Sequence, residues 1–245
     1  MTSHTRPLAL VTGGSAGLGR ALVHALVDRG WCVITDGRDP ARLTDAVAGL
    51  DNVTAITGDV DDPAHRADLV AAVRAHGPLD LLVHNASTLG PLPMPALGDL
   101  ETESLAAIWS TNAGAPHALT RALLPDLRQA DGILLSLSSD AAVQHYEGWG
   151  GYGAAKAALD HLTLTFAAET GLTAYAVDPG DMNTQMHADA EPGEDLSGLP
   201  SAESVAPHVL ALLDQRPESG RYRAADFEPA GLDKLDRRMA SGDVA

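Results

Sequence analysis

The chain has 245 residues, 45% of them apolar, which suits one large α/β domain with a full core and excludes a disordered chain. A net charge of −17 opposes nucleic-acid binding; no run approaches a membrane span, and the N-terminus has no signal-peptide pattern. The single cysteine, Cys32, excludes an internal disulfide, fits a reducing cytoplasm and is expected to pack within a strand.

In chain order, "PLALVT" from Pro7 reads as a buried strand, followed by a helix over about Leu18–Asp28. "WCVIT" is a second strand, with a helix from Pro40. "VTAIT" and "LDLLVH" supply strands three and four around the helix "PAHRADLVAAVRAH". A longer helical region covers about Glu101–Gln129, with an interruption expected near Gly114 and Pro116. "GILLSLS" is strand five, a helix follows Gly151, and "LTAYAVD" is strand six. A last helix lies near Ala202–Leu213, and a weak strand near Gly220–Ala224. Short apolar runs alternating with helices imply βαβ units and a parallel sheet. One polar segment, Asp181–Pro200, breaks the rhythm and reads as a lid or as an insertion without function.

Gly13, Gly17 and Gly19 fall between the first strand and the first helix. Glycine there permits a tight turn and close approach of backbone to a pyrophosphate, and the helix N-terminus offers free N–H groups to the anion. That context points to nucleotide binding. Tyr152 and Lys156 form a second constellation, at positions i and i+4 of an alanine-rich helix and so on one face. A free tyrosine has a pKa near 10; an ammonium about 4 Å away, at an effective dielectric near 20, is worth roughly 4 kcal/mol, or about three pKa units before desolvation opposes it. Lys156 is therefore expected to bring Tyr152 towards the range useful for acid–base catalysis.

Taken together, T-G-x-x-x-G-x-G from Thr12 and Y-x-x-x-K from Tyr152 resemble the short-chain dehydrogenase/reductase family in its compact one-domain form. The resemblance extends over roughly Leu8–Thr184. It implies a Rossmann-type, doubly wound α/β fold of about seven strands, with residues 1–245 as one domain and the lid at about 181–200. Asn85 and Ala86 match the family's N-A-G, with Ser87 in place of the glycine and His84 in place of the preceding asparagine. Asn112 resembles the proton-relay asparagine, with a helix-capping or helix-breaking role as the alternative. Ser139, 13 residues before Tyr152, would hold the substrate oxygen, with Ser138 the competing choice. Lys156 would also bind the nicotinamide ribose. Cofactor contacts would come from Gly13, Ser15, Gly17, Leu18 and Gly19, from Asn85 and Ala86, and from Pro179, Gly180, Met182 and Thr184 of "DPGDMNT". Asp59 and Val60 resemble the pair that holds adenine.

The family register places Gly37 and Arg38 at the adenosine ribose, which favours NADP over NAD, while a shift of one residue would put Asp36 there and favour NAD. His145, Tyr146, Trp149 and Met186 are expected at the substrate, together with Leu89, Leu92, Met94 and Met182; packing on the lid or at a subunit contact is the alternative. The ten histidines are scattered without ligand spacing, so no metal site is expected; His24 and His161 read as packing or surface residues. The C-terminal segment lacks the family's frequent glycine-rich ending. The function implied is an NADP(H)-dependent exchange of carbonyl and alcohol on a partly apolar substrate, in a cytoplasmic homodimer or homotetramer. Elimination or isomerisation on the same fold, or a non-enzymatic NADP sensor, are the alternatives.

Overall fold

The computed structural model describes residues 6–229. Lys234 and the chain end beyond 229 lie outside the described residues. The seven strands are β1 (Leu8–Val11), β2 (Cys32–Gly37), β3 (Val53–Thr57), β4 (Leu81–His84), β5 (Ile133–Leu137), β6 (Thr173–Asp178) and β7 (Gly220–Arg223). They form one sheet in the order β3-β2-β1-β4-β5-β6-β7, every neighbouring pair parallel. The order reverses between β1 and β4, and such a switch point leaves a crevice at the carboxyl ends of the strands.

Side chains alternate across each strand, so β1 feeds two cores. Ala9 and Val11 join Leu22, Leu26, Val209 and Leu212 on one face; Leu8 and Leu10 join Leu69, Val73, Leu119 and Leu123 on the other. The first face is covered by α1 (Gly17–Asp28) and α8 (Ala202–Gln215), the second by α3 (Pro63–His76) and α5 (Ala115–Ala130). Each fully buried leucine contributes about 1.5–3 kcal/mol relative to exposure. Both faces are apolar because both are covered, and the strands therefore read as near-continuous apolar runs.

Helix boundaries follow local chemistry. Asp39 caps α2 (Pro40–Ala46) by accepting from the N–H groups of Ala41 (2.9 Å) and Arg42 (3.1 Å), with Pro40 in the first turn where a missing N–H costs nothing. Asp62 and Pro63 repeat the device at α3. The expected interruption near Gly114 takes another form. Between α4 (Thr102–Trp109) and α5 the chain runs through a π-helical turn, Ser110–Gly114, with no break. Pro116 falls in the first turn of α5, where the wider turn has already displaced the ladder. The polar segment before α8 is ordered around the short helix α7 (Gln185–Ala190). Thr184 caps it, and a parallel bridge of Asn183 with Ser201 closes its base. Among the described residues no helix is long and apolar enough to cross a membrane.

Candidate active site

A cleft of about 700 Å³ opens at the carboxyl ends of β1, β2, β4, β5 and β6. Its floor at one end is the turn between β1 and α1. The Thr12 hydroxyl accepts from the N–H groups of Asn85 (3.0 Å) and Ala86 (3.1 Å), and the Asn85 amide donates back to the carbonyls of Thr12 (2.8 Å) and Gly13 (3.0 Å). These bonds clamp β1 to the chain leaving β4. A Cβ at Gly19 would overlap the Asn85 amide and the Gly13 carbonyl, so only glycine lets α1 come this close. The N-cap of α1, Ala16, makes no side-chain cap. The first N–H groups of α1 are therefore without a side-chain partner beside the cleft, as an incoming phosphate requires.

Asp36 is placed differently from the residues either side of it. It is 1% exposed; Oδ1 accepts from the Gly13 N–H at 2.6 Å, and Oδ2 is 2.9 Å from Nε2 of His65. Both oxygens are thus committed beneath the turn. Gly37 lies against Ser15, and the Arg38 side chain, 72% exposed, reaches along the lip to within 4.0 Å of Asp59. Arg42, in the first turn of α2, lines the same lip, a residue sequence reasoning missed although it lies four positions beyond Arg38.

At the other end of the cleft, Ser139 leaves β5 and Tyr152 and Lys156 rise from α6 (Gly150–Thr170). Gly153 is needed for this approach: a Cβ there would meet the Ala141 carbonyl at 2.5 Å. The Ser139 hydroxyl caps the turn Asp140–Ala142 and lies with the Ser87 hydroxyl against the Tyr152 phenol, where both favour its ionised form. Ser138 donates to Asp160 Oδ2 at 2.8 Å, while the Ser139 hydroxyl lies beside Tyr152.

One expectation is corrected here. Lys156 does not depress Tyr152 in this structure; burial, the largest influence, and the charges of Asp140 and Asp178 push the phenol well above the usual tyrosine range. The reason is placement. The Lys156 ammonium donates to the Leu137 carbonyl at 2.7 Å and lies 5.5 Å from the centre of the Tyr152 ring. Lys156 itself is pushed down to about 8 by burial, with Asp160 opposing.

Of the sequence-selected residues, Gly13, Ser15, Gly17, Leu18, Arg38, Asp59, Val60, Asn85, Ala86, Ser139, Tyr152, Lys156, Pro179, Gly180, Met182 and Thr184 all line the cleft. Gly19 and Asn112 lie behind its wall. The π-helical turn carries Asn112 inward, where Oδ1 accepts from the Thr88 N–H (2.9 Å) and the Ser87 hydroxyl (3.2 Å). Trp149, Leu89, Leu92 and Met186 line the cleft, Trp149 packing edge-on to Tyr152 at 5.6 Å. His145 and Tyr146 do not: both are exposed, and the Tyr146 hydroxyl donates to Asp140 (2.6 Å) and Gln144 (2.8 Å) instead. Met94 packs behind the cleft with Leu89. His187, from α7, was missed. It lines the cleft and approaches Glu194 (3.3 Å) and Asp181 (3.9 Å), contacts within an irregular segment that no periodicity announces.

Comparison with known proteins agrees with this arrangement. A family model described as short chain dehydrogenase matches residues 7–195. An uncharacterised oxidoreductase of Saccharomyces cerevisiae is 33% identical over 182 residues, 72% of this chain and 71% of that protein. Serine 3-dehydrogenase of Agrobacterium fabrum is 34% identical over 184 residues, 72% of each chain. A short chain dehydrogenase of Escherichia coli CFT073, solved with NADPH, superposes with a TM-score of 0.82 at 27% identity, covering 89% of this chain and 96% of the other.

Proposed function

The chain belongs to the short-chain dehydrogenase family, an oxidoreductase acting between CH–OH and C=O groups, and from that premise we propose that it is an NADP(H)-dependent reductase of mid-sized, partly apolar ketones. The observation that carries the reading is the convergence of Ser139, Tyr152 and Lys156 on one cleft whose far end is the glycine turn.

The residues present fit the cofactor. The uncapped N-terminus of α1 suits the pyrophosphate, and Arg38 and Arg42 suit a 2′-phosphate. Asp36, engaged by Gly13 and His65, leaves no carboxylate of β2 free for a ribose 2′-hydroxyl, which favours NADP over NAD. The solved E. coli relative with NADPH supports the same choice.

Bound NADPH supplies the hydride; the chain supplies the proton and the alignment. Ser139 donates to the carbonyl oxygen and holds it beside Tyr152. Tyr152 gives its proton to that oxygen as the carbonyl carbon is reduced. Burial favours this direction, because it keeps the phenol protonated and ready to donate. The Ser87 hydroxyl, turned from Asn112 to the phenol, stabilises the tyrosinate left behind. Lys156 binds the ribose, and Asn112 fixes the Ser87–Thr88 backbone that flanks the phenol. The segment 181–200 acts as the lid, bringing Met182 and Met186 over the substrate. The active form is a homodimer or homotetramer, joined through the small and apolar faces of α6; sedimentation only at 25.3 kDa contradicts this. Consumption of NADPH over a panel of carbonyl compounds tests the whole reading. Turnover of aryl or bicyclic ketones supports it, and NADPH binding without turnover of any carbonyl points to a sensor instead.

A further inference from the structure

Behind the cleft, buried charge is arranged in a way the proposed reaction does not use. Asp160 lies one helical turn beyond Lys156 on α6, 8% exposed. Its Oδ2 accepts from the Ser138 hydroxyl (2.8 Å) and from Nε of Arg221 (3.0 Å), while Oδ1 has no hydrogen-bond partner among the described residues. Arg221 comes from β7, outside the residues matched by the family model. Its Nη2 donates to the Ser139 carbonyl at 2.8 Å and approaches Asp178 Oδ2 at 3.5 Å. One guanidinium thus ties α6, the end of β5 and the end of β6 together, directly behind Ser139.

We propose that Asp160 and Arg221 are positioning residues: the pair fixes Ser139 from behind through its backbone and sets a buried carboxylate one helical turn from the Lys156 ammonium. This rests on the carbonyl-reductase reading for its catalytic consequence; the effect on Lys156 does not depend on that reading.

The electrostatics around Lys156 leave few other candidates for that charge. Lys156 is 3% exposed, so water does little to support it. From β5 it receives only the neutral Leu137 carbonyl, and from β4 the nearby titratable group is His84, whose imidazole is held neutral by burial and by Lys156 itself. On α6, Tyr152 is held protonated. The Asp178 carboxylate of β6 is engaged by Arg221 and by the Gly180 N–H (3.0 Å). Asp160 is the charge that acts on Lys156 against burial; burial pushes the Asp160 carboxyl up, and the Ser138 hydroxyl, Arg221 and Lys156 oppose that rise. A guanidinium suits the other role, since its planar fork reaches a carboxylate and a carbonyl at once.

The sequence makes the test unusually clean, because the chain has only two lysines, Lys156 and Lys234. Protein carrying ¹³C,¹⁵N-lysine gives two side-chain signals, and the Lys234→Arg variant assigns the one from Lys156. In Asp160→Asn the Lys156 titration midpoint should fall by about one pH unit or more, as expected for loss of a buried opposite charge one helical turn away. If Asp160→Asn does not fold, Asp160→Ser, which buries no amide, carries the same measurement. An unchanged midpoint overturns the role of Asp160. This arm needs no turnover, so it stands apart from any failure of the reductase reading. In the second arm, Arg221→Met should lower kcat by roughly 10-fold or more with KM nearly unchanged, because misplacement of Ser139 acts on the aligned complex. Arg221→Lys should restore part of that loss. Equal rates in wild type and Arg221→Met, or equal loss with Lys and Met, overturn the role of Arg221.

Discussion

The two ends of the cleft are built on opposite plans. The glycine turn is made of backbone, with nearly every polar group engaged: Thr12 and Asn85 cross-link it, Asp36 and His65 brace it from below, and Gly19 admits α1 to van der Waals contact. The substrate end is made of side chains on loops. Leu92 and Met186 are exposed, and the segment 181–200 meets the body through a bridge at its base, through Trp149 donating to Glu191 at 3.3 Å and through the apolar contacts of Met182 and Ala190. A pre-formed site at one end and adaptable walls at the other suit an enzyme with one cofactor and a range of substrates.

If the turn end is rigid through buried polar contacts, charge placed there should be costly. His84 stands at its base, its Nε2 2.7 Å from the Thr120 hydroxyl, with a pKa pushed down to about 3 by burial and then by Lys156. Between about pH 6.5 and 3 the unfolded chain binds a proton that the folded chain does not. Stability therefore falls as pH drops through that window, by up to about 5 kcal/mol. His84→Asn removes this dependence, and urea unfolding followed against pH should show a flatter acid limb. A slope equal to that of wild type would place the acid sensitivity elsewhere.

Gly19→Ala tests the same rigidity by volume. The added methyl meets the Gly13 carbonyl, which cannot move without the turn, so a loss of about 1–3 kcal/mol in stability and weakened NADPH binding are expected. An alanine variant with unaltered melting and binding would mean that the turn yields.

Arg38 is the exposed margin of the rigid end. Arg38→Ala should weaken NADPH by roughly 10- to 100-fold and leave NADH nearly untouched, the range of a charge-assisted contact to phosphate. Equal catalytic efficiency with both cofactors in wild type would contradict the assignment. The substrate end should respond more mildly. Trp149→Ala is expected to raise KM for aryl ketones by about 10-fold, and Tyr146→Phe and His145→Ala to change it by less than about 2-fold. A large effect from Tyr146 would bring that ring into the cleft and blur the contrast.

The same contrast explains what was legible in the sequence. The strands and the glycine turn follow from local composition, and the parallel order from the alternation of strand and helix. Local sequence leaves Asp36 open between two registers, yet the alternation of side chains along β2 separates them: Asp36 points beneath the turn and Gly37 towards Ser15. Asn112 faces inward only because of the π-helical turn, whose glycine and proline read as an interruption. His145 and Tyr146 lie near Tyr152 in sequence, but their loop leaves them on the surface, where Tyr146 finds Asp140. Arg221 bonds a residue 61 positions away, and nothing local in "GRYR" marks it. The expected effect of Lys156 on Tyr152 assumed that sharing a helix face brings ammonium to hydroxyl. The ammonium instead meets the Leu137 carbonyl.

The central claim is that Tyr152 is the proton donor in a cleft whose cofactor end is built independently of it. The direct measurement is Tyr152→Phe, with NADPH affinity and carbonyl turnover determined on the same preparation. Removing the hydroxyl while keeping the ring should lower turnover by about 10²- to 10⁴-fold, the range for loss of a general acid, and leave the NADPH Kd within about three-fold of wild type. A phenylalanine variant that keeps most of the wild-type rate, or one that loses NADPH binding along with turnover, would contradict the account.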